Sequence, residues 1–185
     1  MVLTGERYIG NSSGAQISYE HWHRYLFASE FVRNKKVLDI ACGEGYGTNL
    51  LSAFAKEIIG IDISGEAVEH AKKKYKAPSL TFLTGNICKI PINESYTFDV
   101  IVSFETIEHV SAEEQICFLK EVKRLLKKDG LFIISTPDKL YYSDIPDYKN
   151  KFHIKEFYRD EFDQFLQEFF KNTKLLGQQI QTGSV

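Results

Sequence analysis

The feature that most constrains the fold of this chain is the passage from Val37 to Phe54, where a short apolar run meets a glycine-rich turn and then an amphipathic segment. Val37-Leu38-Asp39-Ile40 reads as a strand of a parallel sheet, buried on both faces. It ends near an acid, and Gly43, Gly45 and Gly47 follow, where a backbone can bend sharply or let a ligand come close. Leu50, Leu51 and Phe54 then share one side of a helix. Such a strand–turn–helix unit belongs to open α/β sheets, whose ligands bind beyond the carboxyl ends of the strands.

The remaining chain repeats this rhythm. Ile58–Ile63, Leu80–Leu83, Phe98–Ser103 and Leu131–Pro137 read as further strands, the last entered through a turn at Asp129-Gly130. A helix is predicted over Gly65–Lys76 with Ser64 as its N-cap, and Ser111-x-x-Glu114 is a capping box opening another through Leu126. Asp160 starts a helix with Phe162, Phe165, Leu166 and Phe169 on one face. The alternation predicts an α/β fold with a doubly wound, mostly parallel sheet. Thr173–Gly177 is a candidate sixth strand, while a final antiparallel strand is not found. Two expectations stay open: this sequence stops short of that strand, or the sheet edge is completed by a further domain or a second copy in a homodimer. Ahead of the first strand, Ser18–Arg33 carries Tyr19, Trp22 and Leu26 at helical spacing, as a helix packing on the sheet or lying over the ligand. Residues 138–155 form a long polar loop, of the kind that serves as a functional lid.

The turn also restricts its ligand. A dinucleotide fingerprint is G-x-G-x-x-G with a helix start aimed at pyrophosphate, whereas here the spacing is G-x-G-x-G, with carboxylates at Asp39 and Glu44. These anions disfavour a nicotinamide dinucleotide and favour a ligand bearing positive charge; S-adenosylmethionine carries an ammonium and a sulfonium beside its adenosine. Asp62 follows Asp39 by about the 20 residues at which nucleotide-binding α/β folds place a carboxylate on ribose hydroxyls.

At this point the segment resembles motif I of the class I S-adenosylmethionine-dependent methyltransferases, and later motifs through about residue 136 follow in order. The resemblance implies a cofactor site of Asp39, Ala41, Cys42, Gly43, Gly45, Asp62, Ile63, Asn86, Ile87, Ser103, Phe104 and Glu105, with S-adenosylhomocysteine as the product. Asn86 stands where an acid usually accepts the adenine amino hydrogens; its side-chain carbonyl can accept them instead. Thr4-Gly5-Glu6-Arg7 with Glu20-x-x-His23-Arg24-Tyr25 is similar to a subgroup associated with bacterial surface glycans. In this reading residues 1–185 are one methyltransferase domain. Residues 1–34 form a cap or lid, in which Arg24 or Tyr8 meets the methionyl carboxylate. Residues 35–136 bind the cofactor, and residues 137–185 face the acceptor.

Composition narrows the partners. A formal net charge of −2 shows no basic excess, so nucleic acid is not the expected partner. Three cysteines, Cys42, Cys88 and Cys117, without a C-x-x-C pair, read as reduced thiols. No apolar run approaches the roughly 18 residues of a membrane span, and no signal peptide is read, so a cytoplasmic protein is expected.

Glu105, Glu108 and His109 follow the fourth strand at the mouth of the expected site, and His153 lies in the later loop. As a helical turn, this stretch would set Glu105 and His109 on one face with Glu108 beside them. Three readings stay open. Glu105 meets cofactor while His109 only packs; or His109 or His153 is a general base for an acceptor hydroxyl; or Glu105, Glu108, His109 and His153 hold a divalent metal. The last set is similar to that of methyltransferases modifying the 2′-hydroxyl at small-RNA 3′ ends. The expected catalytic residues are His109, His153 and Glu105, with no metal. The expected activity is methyl transfer from S-adenosylmethionine to a small-molecule or glycan-related acceptor, at oxygen. The rivals are the metal-dependent RNA 2′-O-methyltransferase and a non-catalytic cofactor-binding domain of a larger assembly.

Overall fold

A computed structural model describes residues 15–179, with the side chains of the first helix described from residue 19. Tyr8 and Thr4-Gly5-Glu6-Arg7 lie outside the described residues. The strands are β1 (Lys36–Ile40), β2 (Glu57–Asp62), β3 (Leu80–Thr84), β4 (Phe98–Phe104) and β5 (Leu126–Ser135). The helices are α1 (Ala15–Ser29), α2 (Tyr46–Ser52), α3 (Gly65–Lys74), α4 (Ala112–Leu125) and α5 (Arg159–Gln167). All strands are parallel, in the order β3-β2-β1-β4-β5. The chain winds outward from β1 in one direction and then, from β4, in the other. That switch opens a crevice over the carboxyl ends of β1 and β4.

The period of two along β1 divides its side chains between two layers. Leu38 and Ile40 join Ile101, Phe118, Leu119, Phe157 and Phe162 on the side of α4 and α5. Val37 joins Tyr25, Ala28, Leu51 and Val102 on the side of α1 and α2. Asp39, by the same alternation, points into the α1–α2 layer. Ser64 caps α3 by accepting from the Ala67 N–H, and Ser111 and Glu114 form the expected capping box on α4.

Several expectations are corrected. On α1 the exposed stripe is Tyr19, Trp22 and Leu26, while Tyr25 and Ala28 are buried; the helical spacing held, but the inward face is the one carrying Tyr25 toward Asp39. The β5 pairing begins earlier than expected, at Phe98↔Leu126, and resumes at Val100↔Leu131, so Asp129-Gly130 sits in an irregularity within the strand. Thr173–Gly177 is not a strand; Phe169, Phe170 and Leu175 pack on the core instead, burying apolar surface without joining the ladder. The 138–155 segment is not simply loop: Leu140–Asp144 is a π-helical turn, and Asp138 bridges to Phe157. Among the described residues no helix is long and apolar enough to cross a membrane.

Candidate active site

The glycine turn is built on three successive left-handed residues, Ala41, Gly43 and Gly45, at φ 62°, 56° and 80°. The two glycines serve opposite needs. A Cβ on Gly43 would meet nothing within 4 Å among the described residues, so this backbone faces the crevice. A Cβ on Gly45 would run into Phe82 and Ala71, so there the turn is pressed against α3 and β3. Cys42, just before Gly43, is buried, its thiol pushed up by burial and then by the nearby Asp39, which suits a small packing residue and not a nucleophile.

The two strand-end acids differ sharply. Asp39 is fully buried and accepts from the Thr48 hydroxyl at 2.7 Å and the Tyr25 hydroxyl at 3.2 and 3.3 Å. Burial, aided by the charge of Asp62 and opposed by those two hydroxyls, raises its carboxyl to about 7. Asp39 thus lies beneath the turn as its anchor. Glu44 turns toward His70, 3.8 Å away. Much of the negative charge expected from Asp39 and Glu44 is therefore spent inside the protein, because one is desolvated and the other is paired. Asp62 stands at the rim, where its two oxygens accept the backbone N–H groups of Gly43 at 2.9 Å and Ser64 at 2.8 Å. Each carboxylate oxygen has two lone-pair directions, so this acid can brace the turn and also receive ligand hydroxyls. Ile63 beside it is 65% exposed, an apolar side chain held at the crevice rim. Asn86 is exposed, and its carbonyl accepts the Cys88 N–H at 2.7 Å, which places Ile87 in a tight turn beyond β3.

Phe104 packs edge-on against Tyr25 at the end of β4, and Ser103 is fully buried, its hydroxyl without a hydrogen-bond partner among the described residues. The chain then reverses at Glu105, a left-handed residue at φ 51°. This twist separates Glu105 from the short 3₁₀ turn Ile107–His109, so Glu105 and His109 do not share a helical face. Its carboxylate instead accepts from the Ser135 hydroxyl at 2.6 Å and pairs with Arg24 at 3.6 Å. Arg24 thereby reaches from α1 over the strand ends.

Glu108 is completely buried. One oxygen accepts from Thr136 at 3.0 Å, and the other has no hydrogen-bond partner among the described residues. Burial and then the charge of Glu105 raise its carboxyl to about 8. Its backbone carbonyl receives the N–H groups of Ile154 and Lys155, clasping the later segment to this turn. His109 Nδ1 lies 3.1 Å from the Phe152 carbonyl, which can only accept, so that nitrogen carries the hydrogen. Nε2 is then the lone-pair nitrogen, 3.8 Å from Glu108 Oε1. His153 has the same tautomer: the Asn150 amide donates to Nε2 at 3.1 Å, and Nδ1 donates to Glu156. The two imidazoles meet edge to face at 4.9 Å, and Tyr142 stacks on His153 at 5.0 Å. Ligand atoms of Glu108, His109 and His153 lie within 4.8 Å of one another. Glu105, the fourth member of the metal set read from sequence, is not in that group.

Tyr25, Thr48, Ser135, Thr136, Asn150 and Glu156 were not singled out as site residues in the sequence. Only Ser135-Thr136, two hydroxyls at a strand's carboxyl end, offered a local signal; the others are distant partners joined by packing.

Residues 38–134 match the methyltransferase domain family. A probable S-adenosylmethionine-dependent methyltransferase of Mycobacterium tuberculosis is 31% identical over 172 residues, covering 90% of this chain and 60% of the relative. A ubiquinone biosynthesis O-methyltransferase of Pelagibacter ubique is 33% identical over 108 residues, covering 58% of this chain and 44% of the relative. The chain thus spans about three fifths or less of these relatives' length. The crystal structure of the YcgJ protein of Bacillus subtilis superposes with a TM-score of 0.67 at 23% identity, covering 80% of this chain and 68% of that one, and shares its fold.

Proposed function

The chain belongs to the methyltransferase domain family, and from that premise we propose that it transfers a methyl group from S-adenosylmethionine to an acceptor hydroxyl. The observation carrying this reading is the rim of the glycine turn, where the open backbone of Gly43 adjoins the Asp62 carboxylate. Those residues fit the cofactor by their chemistry: an acid for ribose hydroxyls and an exposed Ile63 for a flat base. When bound, S-adenosylmethionine supplies an activated methyl group on a sulfonium.

Asp62 would accept the ribose hydroxyls, while Ile63, Asn86 and Ile87 would border the adenine. The turn backbone of Ala41, Cys42 and Gly43 would line the crevice, with Ser103 and Phe104 as its floor, and Arg24 with Glu105 would receive the amino-acid end. His109 Nε2 takes the proton of the acceptor hydroxyl, and the Phe152 carbonyl steadies the resulting imidazolium by accepting from Nδ1. Both nitrogens of His153 are engaged by Asn150 and Glu156, so His153 serves as a wall that orients the acceptor. The acceptor is a small molecule or a glycan-related hydroxyl compound. Calorimetry with S-adenosylhomocysteine is expected to show micromolar or tighter binding, and labelled methyl transfer to a panel of hydroxyl compounds to identify the acceptor. Absence of any heat with that nucleoside would end this reading.

A second reading has its own observation. Glu108, His109 and His153 converge, and Glu108 Oε1 is buried without a hydrogen-bond partner among the described residues; these three would hold a divalent cation that lowers the pKa of an acceptor hydroxyl, an RNA 2′-hydroxyl included. Magnesium or manganese then raises both the melting temperature and the turnover, and EDTA reverses both. Equal melting and turnover in EDTA leave the metal-free reading in place.

A further inference from the structure

We propose that Cys88 and Cys117 are a thiol–disulfide site: their sulfurs join reversibly, tying the turn after β3 to α4 and weakening the hold of that turn on the cofactor. The effect on the cofactor rests on the transferase reading above; the bond itself does not.

The fold brings together two cysteines 29 positions apart. Cys88 sits in the tight turn that leaves β3, and Cys117 lies in the first half of α4. Each thiol donates to the other's element. The Cys117 thiol donates to the Cys88 backbone carbonyl at 3.5 Å, and the Cys88 thiol to the carbonyl of Glu114, one helical turn before Cys117, at 3.6 Å. The thiols also meet each other: burial first, and then hydrogen bonding with Cys117 and its charge, push the Cys88 thiol up to about 12. Both residues are half-buried, within reach of a small reagent, whereas Cys42 is buried. A free cysteine that only packs is among the most buried of residues; two partly exposed thiols in mutual contact offer dithiol chemistry instead. The turn transmits what happens at Cys88. Its N–H donates to Asn86 Oδ1 at 2.7 Å, and the next N–H, of Lys89, donates to the Asn86 carbonyl at 3.0 Å. Cys88 therefore moves as one unit with Asn86 and Ile87, the residues proposed to border the adenine.

The oxidant is a low-molecular-weight disulfide. Because Cys88 holds its proton, Cys117 attacks first. It gives its proton to solvent, its sulfur bonds to one sulfur of the reagent, and the other reagent sulfur leaves as a thiolate that takes a proton from solvent. The Cys88 sulfur then attacks the Cys117 sulfur and displaces the second half of the reagent, which departs with the Cys88 proton. Two cysteine thiols lose two electrons and become one disulfide, and the reagent is reduced to two thiols. The same exchange in reverse reopens the pair. Closing it takes both S–H donors away from the Cys88 and Glu114 carbonyls and swings the Cys88 side chain from Glu114 toward Cys117. The turn is reseated, and Asn86 and Ile87 go with it.

The test equilibrates the full chain overnight with mixtures of reduced and oxidised glutathione. In the parent protein the intact mass is expected to fall by two hydrogens, and a digest to contain the peptides of Cys88 and Cys117 joined. Calorimetry with S-adenosylhomocysteine then reads both forms. Affinity is expected to be lower in the oxidised protein by about 5- to 150-fold, the usual range for coupling between two sites, and to return with dithiothreitol. Linkage requires the converse: saturating nucleoside makes the pair harder to oxidise by the same factor. Cys88→Ser and Cys117→Ser each keep the affinity of the reduced parent and lose the response to oxidant. Serine retains a donor at each position, the melting temperature checks the fold, and either variant alone suffices. Mixed disulfides with glutathione and no internal bond, a bond to Cys42, or a Cys88–Cys117 bond that leaves affinity unchanged overturns the proposal. Reduced protein that binds no nucleoside ends the transferase reading instead, and the joined peptides still decide whether the disulfide site exists.

Discussion

The two halves of the crevice are built on acids at strand ends, yet they treat those acids in opposite ways. On the side of β1 and β2, Asp39 is closed by two hydroxyls and Asp62 by two backbone N–H groups. On the side of β4, Glu105 sits in a left-handed conformation and Glu108 has a buried oxygen without a hydrogen-bond partner among the described residues, next to two imidazoles. In the proposed reading the first half holds the cofactor, and its acids are braced by fixed partners; the second half reacts, and there a buried acid keeps one oxygen available to exchange partners.

That contrast breaks most visibly at His109. His109→Ala is expected to lower turnover by about 10²–10⁴-fold, the usual worth of a general base, with S-adenosylhomocysteine affinity unchanged by calorimetry. A variant with the parent's rate would move the reacting role away from this half. On the other half, Asp62→Ala should weaken S-adenosylhomocysteine binding by about 1.5–3 kcal/mol, the range for hydrogen bonds to a charged group. Unchanged affinity there would make Asp62 a brace for Gly43 and Ser64 only.

The smallest effect concerns Asp39. Its carboxyl is raised from 3.8 to about 7, so the folded protein holds a proton that the unfolded chain releases. The stability this contributes is fully present below about pH 4 and is lost as pH rises through about 7. Urea midpoints measured from pH 5 to 8 should therefore fall in the parent protein and fall less in Asp39→Asn, which accepts from Tyr25 and Thr48 without charging. Parallel curves would show that the buried acid does not govern this window.

What the sequence determined by itself were features carried by neighbours along the chain. The apolar runs became β1 to β4 within a residue or so, because a strand buried on both faces needs continuous apolar side chains. The Ser111–Glu114 capping box was readable because its partners are three residues apart. Asp62 reached the rim because strand, helix and strand have nearly fixed lengths. Even the inward aim of Asp39 was implicit in its two-residue offset from Val37. Tertiary structure decided the rest: that Tyr25 and not Trp22 faces the sheet, that Glu105 twists away from Glu108 and His109, and that Asn150 and Glu156 fix the tautomer of His153. It also decided that Thr173–Gly177 stays out of the sheet. Each of these depends on which distant surface a side chain meets, and the free energy of such contacts exists only once the chain has folded to bring them together.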